Sequence, residues 1–289
     1  MLTALLKTMR PRQWTKNAFV FFALVFDKQL FHLPALLRTL AGFALFCLIS
    51  SAVYIFNDLA DVEADRQHPE KKNRPLPSGE LSQAAAWVAG IFLVALTLPL
   101  SWMLSPSFAG VLVVYFLLNL AYSRWLKHVP ILDVMILAAG FVLRVHAGVT
   151  LITVERFSPW LYVVTTLGAL YLGFGKRRSE LALLAHGAGS HRKVLEGYTL
   201  PLLDQYITIV SAATILAYSL YTFSAPNLPA NHTMMLTIPF IAYIIFRYLY
   251  IIQVSHNAGA PEEVLLTDRP MQVAIILFGL AVVAIFYLS

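Results

Sequence analysis

Long apolar stretches separated by short polar ones run through the whole chain. A helix that crosses the hydrocarbon core of a bilayer, about 30 Å thick, needs about 20 mostly apolar residues. The first apolar stretch is short and ends at Asp27-Lys28. Together the stretches predict an all-α polytopic membrane protein with a single domain over residues 1–289. They predict nine transmembrane helices, at residues 17–31, 34–57, 81–103, 107–123, 131–152, 158–175, 204–224, 233–255 and 270–288.

Basic residues lie mainly on one side of this predicted topology. If the N-terminus is cytoplasmic, 16 of the 21 Lys and Arg residues fall in cytoplasmic segments, as the positive-inside rule requires. The sequence thus predicts a multi-pass protein of the plasma (inner) membrane with a cytoplasmic N-terminus. The net charge of +6 follows from this topology, so we expect membrane lipid around the protein and no nucleic-acid partner.

The composition agrees with a membrane protein and points to one polar face. Hydrophobic residues make up 59% of the chain and charged residues only 12%, against about 25% charged residues in an ordinary soluble domain. Thirteen of the 15 acidic residues also fall on the cytoplasmic side. Topology does not require this, because Asp and Glu contribute little to orientation. We therefore expect a polar site at the cytoplasmic face.

An aspartate cluster follows the second apolar stretch, from Asn57 to Asp65. If the helix continues through it, Asp58, Asp61 and Asp65 lie within roughly 60° of one another on one face. Three carboxylates so close repel one another unless a cation binds them, and Mg²⁺ is the hard cation that prefers oxygen ligands. The alternative is a solvated acidic turn just outside the membrane.

A basic stretch follows within ten residues, Lys71-Lys72-Asn73-Arg74-Pro75-Leu76-Pro77-Ser78-Gly79. Metal-bound phosphate oxygens and Lys or Arg donors together bind a diphosphate and stabilise it as a leaving group. The two adjacent clusters therefore predict a diphosphate site.

These residues resemble the UbiA superfamily of intramembrane prenyltransferases. The first signature of that family is N-D-x-x-D-x-x-x-D followed by an N-R-P-L-P-S-G-like loop, and residues 57–65 and 73–79 match it. The resemblance implies a nine-helix UbiA-like bundle with a polar site at the cytoplasmic face. The second signature, D-x-x-x-D in the loop after the sixth helix, is absent, since that loop is predicted to begin Lys176-Arg177-Arg178-Ser179-Glu180.

This departure resembles one branch of the family, the polyprenyl-phosphate phosphoribosyltransferases, typified by decaprenyl-phosphate phosphoribosyltransferase. The opening Arg10-Pro11-Arg12-Gln13-Trp14-Thr15-Lys16-Asn17 and the stretch from Tyr122 to Lys127 are similar to that branch. The resemblance implies Mg²⁺-dependent transfer of 5-phosphoribosyl from phosphoribosyl diphosphate (PRPP) to a polyprenyl (decaprenyl) phosphate, and a homo-oligomer. Several basic patches suit the separate phosphates of donor and acceptor better than a second carboxylate face does.

The candidate site residues fall into three groups. The candidate catalytic residues are Asp58, Asp61, Lys127 and Asp133, and the candidate metal ligands are Asp58, Asp61 and Asp65. The candidate substrate-binding residues are Lys16, Asn57, Asp65, Lys71, Arg74, Tyr122, Arg144, Lys176, Arg177 and Arg178.

Arg144 is a candidate because it lies inside a predicted transmembrane helix, where a charged side chain is costly and faces the bundle interior. A structural pair or a side chain that reaches the interface is an equally good interpretation. For the whole protein, two alternatives remain: a UbiA-type prenyltransferase that acts on an aromatic acceptor, and a transport or lipid-binding membrane protein without chemistry.

Overall fold

The computed structural model describes residues 1–68, 71–154, 158–185, 193–226, 228–254, 264 and 267–288. These ranges are helical with connecting turns and hold no strand, which confirms the predicted all-α fold. The α-helices are α1 (Leu2–Met9), α2 (Phe22–Phe26), α3 (Leu33–Ala60), α4 (Val62–Gln67), α5 (Gln83–Leu104), α6 (Pro106–Arg124), α7 (Leu132–Val149), α8 (Pro159–Ala185), α9 (Leu200–Ser224), α10 (Ile238–Val254) and α11 (Arg269–Leu288). The 3₁₀ helices are Pro11–Phe21, Lys71–Asn73, Leu126–His128, Lys193–Gly197 and Thr233–Thr237.

Seven helices in the described part of the chain are long and apolar enough to cross a membrane. They correspond to predicted stretches two to five and seven to nine, with ends within a few residues of the predicted ones. The protein is therefore a multi-pass membrane protein. The predicted count of nine spans is not confirmed, because the first and sixth stretches differ from the prediction. The spans are Leu33–Ala60, Gln83–Leu104, Pro106–Arg124, Leu132–Val149, Leu200–Ser224, Thr233–Val254 and Arg269–Tyr287.

The first predicted span, residues 17–31, is not confirmed as a single transmembrane α-helix. Its place is taken by the end of the 3₁₀ helix Pro11–Phe21 and the five-residue helix α2, which is followed by turns. Runs of 3₁₀ helix longer than a few residues are uncommon, because their hydrogen-bond geometry is poor. Here tertiary contacts hold the run, since Asn17 is buried and its side chain hydrogen-bonds to α3. An apolar pattern alone does not reveal such contacts.

The sixth predicted span is helical but extends ten residues further than predicted. Helix α8 continues through Lys176-Arg177-Arg178 to Ala185, so these basic residues lie in a helix and not in the expected loop. The charges of Arg177 and Arg178 are compensated by carboxylates, which removes the reason for the helix to end there. Helix α8 is not among the apolar spans above.

Backbone contacts divide the chain into two compact units. The first comprises Met1–Val25, Gln29–Lys127 and Leu143–Val154, and the second comprises Phe26–Lys28, His128–Val142 and Glu155–Ser289. The single domain over residues 1–289 stays a prediction.

In the first unit, α3 packs against α1, α5, α6 and the 3₁₀ helix Pro11–Phe21. A buried apolar cluster that includes Phe46, Phe108 and Leu112 forms part of its core. Gly90 lets α5 approach α3 closely, because a Cβ there would lie only 2.9 Å from Cζ of Phe56. The central helix α3 carries the aspartate cluster at its C-terminal end.

In the second unit, α8 packs against α9, and α10 packs against α9 and α11. Arg247 of α10 donates to Asp268, with Nη2 2.8 Å from Oδ2, and Asp268 caps α11 by accepting the Met271 N–H at 2.9 Å. The hydrogen bond from Arg247 lowers the pKa of Asp268, and the Met271 N–H adds to this effect. Arg247 therefore joins α10 to the start of α11.

Candidate functional site

The aspartate cluster lies at a break between two helices. Helix α3 ends at Ala60, Asp61 has the non-helical dihedrals φ −100° and ψ 5°, and α4 begins at Val62. Asp58 and Asp65 are buried, at 4% exposure each, whereas the Asp61 side chain is 43% exposed. The condition under which the three carboxylates share one helical face, a helix that continues through the motif, is therefore not met at Asp61.

Basic side chains surround the three carboxylates. Arg74 Nη1 lies 2.7 Å from Asp65 Oδ2 and 3.5 Å from Asp58 Oδ1, so a single nitrogen serves both acids. Lys71 Nζ is 3.7 Å from Asp65 Oδ1, and Lys127 Nζ is 2.8 Å from Asp61 Oδ1. The structure thus joins Asp58 and Asp65 through Arg74, with Lys71 beside Asp65, and pairs Asp61 with Lys127, all within the first unit.

Arg10 is a further member of this cluster, and sequence reasoning missed it. Its guanidinium donates a hydrogen bond to Asp58 Oδ1 and lies over the Tyr54 ring, 5.0 Å from the centroid. Arg10 has a left-handed backbone (φ 53°) at the junction of α1 and the following 3₁₀ helix. The only signal in the sequence is its place at the start of the stretch from Arg10 to Asn17, which indicates no partner for it.

Helix α6 contributes Ser123 to the edge of the cluster. The Ser123 hydroxyl hydrogen-bonds to Asn57 Oδ1 and also lies 2.9 Å from the Asn119 carbonyl oxygen. Tyr122, the preceding residue, is half-buried on the same helix. Asn57 is therefore held from one side by α6, as well as by its own position on α3.

Arg144 lies in a second polar network of the first unit. The side chain is buried, as predicted, and Nε donates to Asn17 Oδ1 at 2.8 Å while Nη2 donates to the Tyr115 hydroxyl at 2.9 Å. Its guanidinium also lies over the rings of Phe46 and Tyr115, at 5.3 and 4.9 Å. These contacts favour a structural role that ties Pro11–Phe21 to α6 and α7. Lys16 is half-buried and next to Asn17 in sequence.

In the second unit, Asp133 and Arg177 form a buried ion pair. Arg177 Nε lies 2.6 Å from Asp133 Oδ2, and the Tyr198 hydroxyl donates to Asp133 Oδ1 at 2.7 Å. Asp133 is 0% and Arg177 1% exposed, and Glu180 Oε2 is 2.6 Å from Arg177 Nη1. Burial raises the pKa of Tyr198 above its usual range, and the hydrogen bond to Asp133 raises it further, so the phenol remains a donor. The predicted roles of Asp133 in catalysis and Arg177 in substrate binding stay predictions.

The two sequence neighbours of Arg177 on α8, Lys176 and Arg178, are also basic. Arg178 Nε lies 2.6 Å from Asp204 Oδ1, and its Nη1 donates to the Ile252 carbonyl oxygen at 2.7 Å. Lys176 is half-buried on α8. These basic residues belong to the second unit, whereas the aspartate cluster belongs to the first.

The cluster in the first unit suits a divalent cation with phosphate ligands. Among the described residues, no three His, Cys, Asp or Glu side chains gather closely enough to hold a metal ion by themselves. Asp58 and Asp65, however, both approach Arg74 Nη1, so two carboxylates converge on one positively charged atom. Mg²⁺ is commonly held by one or two carboxylates, with water and substrate phosphates as its other ligands. The donor set therefore fits Mg²⁺ bound together with a phosphate-bearing ligand.

The fold and this cluster define a class: polytopic helical membrane proteins with a cluster of acidic and basic side chains at a helix end. Within that class, the chain belongs to the UbiA prenyltransferase family, whose family model matches residues 17–260.

Named relatives agree with this membership. The chain is 34% identical to the decaprenyl-phosphate phosphoribosyltransferase of Mycolicibacterium smegmatis, over 94% of this chain and 89% of that protein. It is 32% identical to the protein of the same name from Corynebacterium glutamicum, over 98% and 87% of the two chains. Among solved structures, a UbiA homologue from Archaeoglobus fulgidus bound to DMAPP and Mg²⁺ has the same fold, with a TM-score of 0.71, 20% identity and 99% of each chain covered.

Proposed function

We propose that this protein is a membrane glycosyltransferase that moves 5-phosphoribosyl from PRPP to a polyprenyl phosphate, such as decaprenyl phosphate, and releases diphosphate. The observation that carries the proposal is the near full-length similarity to two decaprenyl-phosphate phosphoribosyltransferases. The cation-rich aspartate cluster supports it, because the donor carries a diphosphate whose charge needs neutralisation as it leaves.

The aspartate cluster would bind the leaving diphosphate. Asp58 and Asp65, with Asp61 beside them, would hold Mg²⁺, which supplies positive charge to the diphosphate oxygens as they leave ribose C1. Arg74 and Lys71 lie against the same carboxylates and would donate to the outer oxygens. Lys127, at 18% side-chain exposure, would donate from the side of Asp61. Asn57 would complete the polar wall.

The acceptor needs no strong general base. A polyprenyl phosphate is already an anion at neutral pH, so its oxygen can attack C1 as the bond to diphosphate breaks and the ring gains positive charge. Catalysis then rests on positioning and on electrostatic stabilisation of the leaving group. Tyr122, Lys16, Lys176 and Arg178 stay predicted substrate-binding residues.

A second candidate is transfer of an isoprenoid from a prenyl diphosphate to an aromatic acceptor. It is favoured by the shared fold with the A. fulgidus homologue, whose structure holds DMAPP and Mg²⁺. It is disfavoured by the missing D-x-x-x-D signature, since α8 carries Lys176-Arg177-Arg178 at that place.

A paired turnover assay on detergent-purified protein with Mg²⁺ separates the two candidates. One arm supplies PRPP and a polyprenyl phosphate, and the other a prenyl diphosphate and aromatic acceptors. We expect a metal-dependent phosphoribosyl lipid in the first arm alone. Asp58→Asn should lower this turnover by roughly 100-fold, because it removes a carboxylate that would hold Mg²⁺ against the leaving diphosphate.

The matched control is Glu63→Gln, which makes the same charge change in the same motif. Glu63 is exposed, and in the described part of the chain its ion-pair partner is Arg66, at 2.7 Å, so we expect near wild-type turnover. Prenylated aromatic product in the second arm alone would support the second candidate and contradict the first. Full turnover by folded Asp58→Asn protein would remove the metal site from the proposal.

The orientation and assembly of the protein belong to the same proposal. We place the N-terminus and the aspartate cluster on the cytoplasmic side of the plasma (inner) membrane, because 16 of the 21 basic residues lie on that side of the predicted topology. A reporter enzyme that works only in the cytoplasm should therefore be active when it is fused to the N-terminus. A homo-oligomer stays a prediction.

A further inference from the structure

The protein's own cations already neutralise the carboxylates that would bind Mg²⁺. Asp58 accepts from Arg10 and lies 3.5 Å from Arg74, while Asp65 has Arg74 and Lys71 within 4 Å. Arg10 and Arg74 both approach the same oxygen of Asp58, Oδ1, and the Asp58 side chain is only 5% exposed, so the two guanidinium groups cover that oxygen. A divalent ion that binds Asp58 through Oδ1 must therefore displace at least one of them.

Arg10 is well placed to give way. Its side chain is 31% exposed, and besides Asp58 its guanidinium contacts only the face of the Tyr54 ring within the described structure. Its backbone is fixed independently of that ion pair, because the Ser51 hydroxyl donates to the Met9 carbonyl oxygen at 3.2 Å and Trp14 Nε1 donates to the same hydroxyl at 3.0 Å. The guanidinium can thus leave Asp58 while the chain around it stays in place.

Diphosphate makes the displacement of the guanidinium groups by the metal more favourable. Mg²⁺ alone would bind the carboxylates at the cost of leaving Arg10 and Arg74 without anions in a partly buried site, where unpaired charges are unfavourable. When diphosphate enters with the metal, its oxygens take the place of the carboxylates as partners of the displaced guanidinium groups. Each ligand therefore removes the penalty that the other would meet.

We propose that Arg10 is a cation-exchange residue: it holds Asp58 in the substrate-free protein and moves to the diphosphate when metal and diphosphate bind together. The site then binds the two ligands cooperatively and binds the metal poorly by itself. This inference rests on the proposed function, since it assumes a diphosphate and a metal at the aspartate cluster. It makes Arg10 both a competitor of the metal and a ligand of the diphosphate.

The test measures the two ligands separately on detergent-purified wild-type, Arg10→Gln and Arg12→Gln proteins. Electron paramagnetic resonance gives the affinity for Mn²⁺ alone, and radiolabelled pyrophosphate gives the anion affinity with and without Mg²⁺. Arg12 is the matched control, because it carries the same charge two residues away and is exposed, with no carboxylate partner in the described structure.

The two affinities should move in opposite directions in Arg10→Gln. In wild-type protein, Mg²⁺ should tighten pyrophosphate binding by about tenfold or more, within the usual range of coupling between two ligands. Arg10→Gln should bind Mn²⁺ alone several-fold more tightly, bind pyrophosphate more weakly, and lose most of the coupling. Arg12→Gln should match wild type. Arg10→Lys keeps the charge and should stay close to wild type in Mn²⁺ affinity. This variant is the control for a folding defect caused by any substitution at this position.

Four results would overturn the inference. Equal losses of both affinities in folded Arg10→Gln would mean that Arg10 only supports the site, and unchanged affinities would mean that it has no part in binding. Independent binding of metal and pyrophosphate to the wild-type protein would remove the exchange. A wild-type protein that binds neither pyrophosphate nor Mn²⁺ would remove the proposed function as well, which separates that failure from the others.

Discussion

Replacement of Asp133 by asparagine should destabilise the protein strongly, because it breaks a buried ion pair and leaves Arg177 charged. Both oxygens of Asp133 accept hydrogen bonds, from Arg177 Nε at 2.6 Å and from the Tyr198 hydroxyl at 2.7 Å. An asparagine can accept only one of them and must point its NH₂ group at the other donor. The change therefore removes one charge-assisted hydrogen bond and creates a clash between donors.

The magnitude follows from the burial of the pair. Loss of one partner of a buried ion pair costs about 3–5 kcal/mol, because the other charge is left without compensation. Here the cost should lie near the lower end, at about 3 kcal/mol, since Glu180 still lies 2.6 Å from Arg177 Nη1 and is 27% exposed. For a chain of this length, that is a fall of roughly 6–12 °C in Tm.

The assay is thermal unfolding of detergent-purified variants in a double-mutant cycle with Arg177→Gln. Each single variant should fall in Tm, and Asp133→Asn combined with Arg177→Gln should recover a large part of the loss, because no buried charge is then unpaired. The coupling should be about 2 kcal/mol. An Asp133→Asn protein with wild-type Tm, or a double variant with purely additive losses, would refute a structural pair and strengthen the predicted catalytic role of Asp133.

Two further predictions concern other parts of the molecule. Ser123→Ala should raise the Mg²⁺ concentration needed for half-maximal turnover by about tenfold, since groups that orient metal-site residues affect metal affinity on this scale. Ser123→Thr keeps the hydroxyl and should restore the wild-type Mg²⁺ dependence. An unchanged Mg²⁺ dependence of Ser123→Ala would show that Ser123 has no part in the site. The lowered pKa of Asp268 means that its ionised form is favoured in the folded protein, so its stabilising effect is present above the unfolded pKa of about 3.9 and is lost as the pH falls through the lower folded value. The Tm difference between wild type and Asp268→Asn should therefore stay constant from about pH 8 to about pH 5 and shrink below about pH 4, and a difference that already shrinks near neutral pH would contradict this reading.

Local sequence patterns determined much of this protein. The apolar stretches gave seven of the nine predicted spans with accurate ends, because a bilayer sets the length of a helix and leaves little choice of structure. The motif from Asn57 to Asp65 and the following basic stretch located the candidate site, since like charges close in sequence need a common partner. The burial of Arg144 followed from its place inside an apolar stretch.

Only the tertiary structure decided the partners within that site. The contact of Arg10 with Asp58 joins residues 48 positions apart, and that of Lys127 with Asp61 joins residues 66 apart, so no local period contains them. The same holds for the start of the predicted span 17–31, where residues 17–21 belong to the 3₁₀ helix Pro11–Phe21 and the contacts of Asn17 hold that form. The helical spacing of the aspartates in the motif likewise does not predict that the helix breaks at Asp61. Hydrophobic periodicity reports which environment a segment needs, whereas the pairing of charges depends on which segments the fold brings together.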